Sequence, residues 1–127
     1  MDIHELRVNS TVWYNDKRVK ITAIDNTDDE PFVKTSFRDD KWLHAKLIDP
    51  IPITEELLKE LGFDKSETKQ YDWYKHIDDF SIFIRIFKRG RCRAEVYSEF
   101  SHHGNMVCYY LHELENFVYL TTKKELI

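Results

Sequence analysis

Arg85, Lys88, Arg89, Arg91 and Arg93 fall within nine residues that contain no acid. On a β-hairpin, Phe83, Phe87 and Tyr97 would share a face with Arg85, Arg91 and Arg93. Guanidinium groups hold phosphates in bidentate fashion and aromatic rings stack on bases, so this pattern suits single-stranded nucleic acid or a nucleotide. The same residues have a plain structural reading, with arginine stems lying over aromatic rings beneath the last helix or the N-terminal barrel.

Other chemistry is thinner. His102-His103-Gly104 reads as a loop, and His112-Glu113 begins a pattern that a zinc protease helix would continue as His-Glu-x-x-His. Asn116 stands where the second histidine is needed, so the motif fails and no metal site is expected. Asp25, Asp28, Asp29 and Glu30 lack the spacing and the bend glycine of a calcium loop. Neither Cys92 nor Cys108 has a neighbouring histidine, no Gly-x-Ser-x-Gly occurs, and Gly62, Gly90 and Gly104 stand alone rather than in a phosphate loop. No catalytic residue and no cofactor are expected. Trp13, Tyr14, Phe37 and Trp42 form a second candidate surface, a peptide groove of the SH3 kind, with core filling as the alternative.

The basic cluster needs a hairpin to display it. Phe80 to Phe87 and Arg91 to Tyr97 both alternate with period two around Lys88-Arg89-Gly90. A two-residue turn would set Ile86 opposite Arg93 and Ile84 opposite Glu95, mixing charge into the apolar face. A three-residue loop pairs Ile86 with Cys92, Ile84 with Ala94 and Ile82 with Val96, and puts Gly90 where a left-handed residue is wanted. The second register is expected. Its other face carries Phe83, Arg85, Phe87, Arg91, Arg93, Glu95 and Tyr97.

Around this hairpin the chain of 127 residues divides near Pro50. Residues 1–50 read as short strands: Thr11 to Tyr14, Arg18 to Ile24 with Val19, Ile21 and Ala23 inward, Phe32 to Phe37, and Trp42 to Ala45. So many strands in so short a stretch point to a small SH3-like β-barrel, since closure leaves no open edge. Ile48 to Ile53, with prolines two apart, reads as an extended hinge. Residues 51–127 hold a short helix capped by Thr54 and stopped by Gly62, a strand from Gln70 to Ile77, the hairpin, and a C-terminal helix. Val107, Leu111, Leu114 and Val118 have helical spacing, and Thr122 could cap a last turn to Leu126. The fold class is α+β, with the two parts packed as one unit.

Composition excludes several classes. Hydrophobic residues at 42% and charged residues at 33% argue against disorder and against a membrane-embedded chain. With 19 basic and 23 acidic residues the net charge is −4, which opposes coating of nucleic acid by bulk charge. Met1 to Glu5 has no leader character, and two cysteines do not make a disulfide scaffold, so reduced thiols and a cytoplasmic location are expected.

Ile51-Pro52-Ile53-Thr54-Glu55-Glu56-Leu57-Leu58, then Gly62-Phe63, and the ending His112-Glu113-Leu114-Glu115-Asn116-Phe117-Val118-Tyr119-Leu120-Thr121 resemble a family of small uncharacterised proteins. These belong to phages, prophages and other mobile elements of Bacteroidetes. Trp13-Tyr14-Asn15-Asp16-Lys17 and the strand Val19-Lys20-Ile21-Thr22 share in the resemblance, which therefore spans most of the chain. Relatives often carry Leu-Thr-Gly where this chain has Leu120-Thr121-Thr122, and the basic hairpin is not a family-wide feature. The resemblance implies a mobile-element origin and no catalytic residues. The functional expectation is a non-catalytic binding protein for a host or phage protein, with nucleic-acid or nucleotide binding on the basic hairpin as the alternative. A small hydrolase using His102, His103 or His112 stands third.

Overall fold

The computed structural model describes residues 6–26, 30–38, 40–99 and 101–126. The readings placed on Met1 to Glu5, Asp28 and Asp29 lie outside them. The protein is α+β, and the described residues form two antiparallel five-stranded sheets and two α-helices. The chain separates into two compact units, 1–51 and 52–127. Among the described residues no helix is long and apolar enough to cross a membrane.

In the first unit β1 (Thr11–Tyr14) and β2 (Lys17–Asp25) form a hairpin. Asn15 and Asp16 both take left-handed backbone in its turn, which matches the right-handed twist of the strands. β3 (Phe32–Thr35), β4 (Leu43–His44) and β5 (Ile48–Asp49) complete the order β4-β3-β2-β1-β5. No pairing of β4 with β5 closes the sheet among the described residues, so the ladder is open rather than a closed SH3-like barrel. Ile48 and Asp49, expected in the hinge, instead extend the sheet by pairing with Tyr14 and Trp13.

The core of this unit is Leu6, Val12, Val19, Ile21, Val33, Leu43, Ala45 and Ile48. A register shift between Ile21 and Ala23 corrects one inward position. Past that bulge Ile24, not Ala23, packs against the core.

In the second unit α1 (Glu55–Glu60) has the expected ends. Thr54 Oγ1 accepts from the Leu57 N–H at 3.2 Å. At the other end the Gly62 N–H donates to the Lys59 carbonyl and the Phe63 N–H to the Leu58 carbonyl, with Gly62 at φ +88°. That arrangement satisfies the last carbonyls and brings Phe63 back over Leu58, both buried.

The strands of the second sheet are β6 (Asp64–Lys65), β7 (Trp73–Ile77), β8 (Phe80–Ile86), β9 (Cys92–Tyr97) and β10 (His102–Cys108). They run in the order β10-β9-β8-β7-β6. The β8–β9 register is the expected one: Ile82 opposite Val96, Ile84 opposite Ala94, Ile86 opposite Cys92. Phe87 N–H donates to the Arg91 carbonyl at 2.7 Å across the loop, and Arg89 and Gly90 are both left-handed.

The segment after the hairpin differs from expectation. His102 and His103 are not in a loop but in β10, paired with β9. The last helix, α2 (Leu111–Thr122), begins after that strand, so Val107 belongs to the sheet and not to the helical row. Nor does a helical turn continue to Leu126: Lys123 is left-handed and ends α2, and Thr122 Oγ1 accepts from the Lys124 N–H. Phe117 and Thr121 of α2 pack over Gly104, which shares its side of the sheet with Val96. The helix therefore covers the apolar face.

Lys75 also sits on that apolar face, opposite the fully buried Ile82. Its ammonium donates to the carbonyls of Leu61 at 2.5 Å and Leu126 at 3.2 Å. Burial holds its pKa below the usual lysine value.

Candidate functional site

Because cross-strand partners share a face, the register assembles the opposite side of the sheet into rows. Arg85, Arg93 and Val107 form one row across β8, β9 and β10. Tyr74, Phe83, Glu95 and Asn105 form the next, from β7 to β10. His76, Ser81, Tyr97 and His102 form the third. α2 lies on the other side, so the arginine face is open. Arg85, Arg89, Arg91 and Arg93 are exposed, while Phe83, Phe87 and Tyr97 are half-buried.

Phe87 organises the charge. The guanidinium carbons of Arg91, Arg85 and Arg93 lie 5.1, 5.6 and 6.0 Å from its ring centroid. Cation–π contact steadies each arginine on the ring face. It does not remove their charge. Among the described residues no carboxylate lies within ion-pair distance of Arg85, Arg89, Arg91 or Arg93. The nearby carboxylates have other partners. Asp72 accepts from the Ile86 N–H at 2.7 Å. Glu95 accepts hydrogen bonds from the Tyr71 hydroxyl and, at 3.5 Å, from the Tyr97 hydroxyl. Removal from water and the bond to Glu95 push the Tyr71 phenol well above its ordinary pKa.

Two hollows flank Phe87 and the arginines. One, of about 630 Å³, is lined by Phe87, Lys88, Arg89, Arg91 and Tyr109. The other, of about 250 Å³, is lined by Gln70, Tyr71, Arg85, Arg93 and Glu95. Tyr71 also stacks near Phe83, with ring centroids 4.8 Å apart. Tyr71, His76 and Tyr109 were not singled out from sequence. Period-two alternation along β7 carried the signal for His76, and nothing local marked Tyr71 or Tyr109.

The other candidate groups do not converge. Trp13 faces away from the core side that Tyr14 occupies, and shares its side with Arg18 and Asp49. It lines a hollow of about 510 Å³ with Asn15, Asp16 and Asp49. Tyr14 and Phe37 rings are 6.2 Å apart with Lys17 over Phe37, whereas Trp42 has Lys34 over it at 4.9 Å. The groove expected from Trp13, Tyr14, Phe37 and Trp42 is therefore not formed by these four together.

The histidines are equally dispersed. His102 lies 4.7 Å from the Tyr97 ring, His103 meets Ser98 and Phe80 at a bulge, and His112 is fully buried in α2. Among the described residues no three His, Cys, Asp or Glu side chains are grouped to hold a metal. Cys92 and Cys108, distant in sequence, are cross-strand partners and free thiols in the core. The hydrogen bond between them draws Cys92 down, and with burial it pushes Cys108 up. Neither thiol is exposed as a nucleophile.

No family model matches this chain, and no curated protein or solved structure proves similar to it.

Proposed function

We propose that this is a non-catalytic binding protein whose ligand carries both phosphate and an aromatic base: a nucleotide or a short single strand. The observation that carries this reading is the set of guanidinium groups around Phe87, on the sheet face opposite α2, with no carboxylate within ion-pair distance among the described residues. Like charges gathered without carboxylate partners disfavour the free protein and favour whatever anion settles among them. Phe87 and Tyr109 offer ring faces on which a base stacks. Capture of a host or phage protein through the N-terminal aromatics draws less support, since those side chains point to different places.

A mobile-element origin and a cytoplasmic setting accompany this reading. They rest on the residues from Ile51 to Phe63 and from His112 to Thr121, and on the two unpaired thiols. The first unit follows an SH3-like path in this reading, supported by the order β4-β3-β2-β1-β5 and the 3-10 turn before β5.

The test is binding of a labelled single-stranded oligonucleotide and of mononucleotides across a salt series. Affinity should fall with salt, by about 0.7 log units per log salt for each phosphate contact on a single strand. Replacing Arg85, Arg91 and Arg93 together by Ala should abolish binding while the circular dichroism spectrum stays unchanged. Binding to neither ligand class, or full binding by the triple variant, overturns the proposal.

A further inference from the structure

We propose that the larger hollow at the hairpin tip is a pocket for a free nucleotide bearing two or more phosphates, an inference that rests on the base-and-phosphate reading above. Its volume of about 630 Å³ falls in the range of small-molecule sites, roughly 300–1,000 Å³. Among the described residues its lining holds two aromatic rings, three cations and no acid.

Both rings hang from fixed backbone. Tyr109 is 46% exposed, yet its carbonyl accepts from the Ile53 N–H and its N–H donates to Glu113. Phe87 is held by its bond to the Arg91 carbonyl. A ring that is exposed but anchored is a stacking platform that orders little on binding. The base lies against Tyr109 and Phe87, and the phosphates meet Lys88, Arg89 and Arg91.

The distribution of charge decides between a free nucleotide and a long strand. The three cations come from four consecutive residues, so they form one dense spot and not a line. Leading away along β9, the row of Arg85 and Arg93 comes first, and the rows beyond it present Glu95 with Asn105 and then Tyr97 with His102. A strand laid along β9 would carry its following phosphates past the Glu95 carboxylate. The smaller hollow includes that same carboxylate and suits a phosphate less well. The overall charge of −4 further opposes a long polyanion, while a compact one feels chiefly the local cluster.

Calorimetric titration of the full chain with ATP and GTP, with adenosine, inorganic triphosphate and a thymidine oligonucleotide as comparisons, tests this. Nucleoside triphosphates should bind and raise the melting temperature, adenosine should not, and inorganic triphosphate should bind at least tenfold more weakly than the nucleotides. Tyr109→Ala should weaken nucleotide binding about tenfold and leave inorganic triphosphate unaffected. Arg89→Gly should weaken both, and glycine suits the left-handed backbone at that position, so folding is preserved. Oligonucleotide binding without nucleotide binding overturns the pocket and leaves the broader reading standing. Equal affinity for inorganic triphosphate, or nucleotide binding unaffected by both variants, also overturns it. No binding by any ligand removes both.

Discussion

Arg85 and Arg93 face each other across the β8–β9 ladder, and both lean on the Phe87 ring. Directly opposed like charges cost about 0.2–1 kcal/mol in a sheet. Arg93→Gln should therefore raise unfolding free energy by ~0.5 kcal/mol at low ionic strength, with the gain shrinking as salt screens the pair. Urea unfolding at two salt concentrations measures this. A variant less stable than wild type at low salt would mean that the two arginines do not repel.

The register makes a sharper mechanical claim. Ile84 is fully buried between Trp73 and Ala94, whereas Phe87 is half-buried at the strand end. Ile84→Asp places a carboxylate in an apolar core at a cost of several kcal/mol and should leave no cooperative thermal transition. Phe87→Ser should cost only about 1–2 kcal/mol. Similar melting curves for Ile84→Asp and wild type would contradict the apolar face.

Tyr71 predicts a limb in the alkaline pH profile. Its phenol has a raised pKa in the folded state against an ordinary value of 10.0. Stability from the hydroxyl on Glu95 is therefore full below pH 10.0 and declines as pH rises above it, because the unfolded phenol ionises first. Tyr71→Phe should lower stability by ~1 kcal/mol at neutral pH and remove that part of the alkaline decline. Phenolate absorbance should show one of the seven tyrosines titrating only as the protein unfolds. If all seven ionise together in the folded protein, Tyr71 does not donate to Glu95.

Local signals were enough for α1 and for the hairpin. Thr54 and Gly62 mark helix ends through backbone hydrogen bonds a few residues away, and Ile82, Ile84 and Ile86 admit only one register that keeps charge out of the core. β10 was illegible for the converse reason. His102 to Cys108 has no clean alternation, because the bulge between His102 and Gly104 shifts which residues face inward. Val107 was then drawn into the helix by its spacing from Leu111. The candidate face was legible as a list of residues but not as an open surface. Whether α2 covered it depended on β10, and the partners that quench Glu95 come from Tyr71, far away in sequence.

The single cation of Lys75 has a consequence for the order of assembly. It closes on a carbonyl at the end of α1 and on another at Leu126, so the two ends of the second unit share one ammonium group. A chain still being synthesised can form α1 and the hairpin early, but Lys75 then holds a charge on the apolar face with half its partners missing. The Lys75 ammonium gains its second carbonyl acceptor only once Leu126 has emerged.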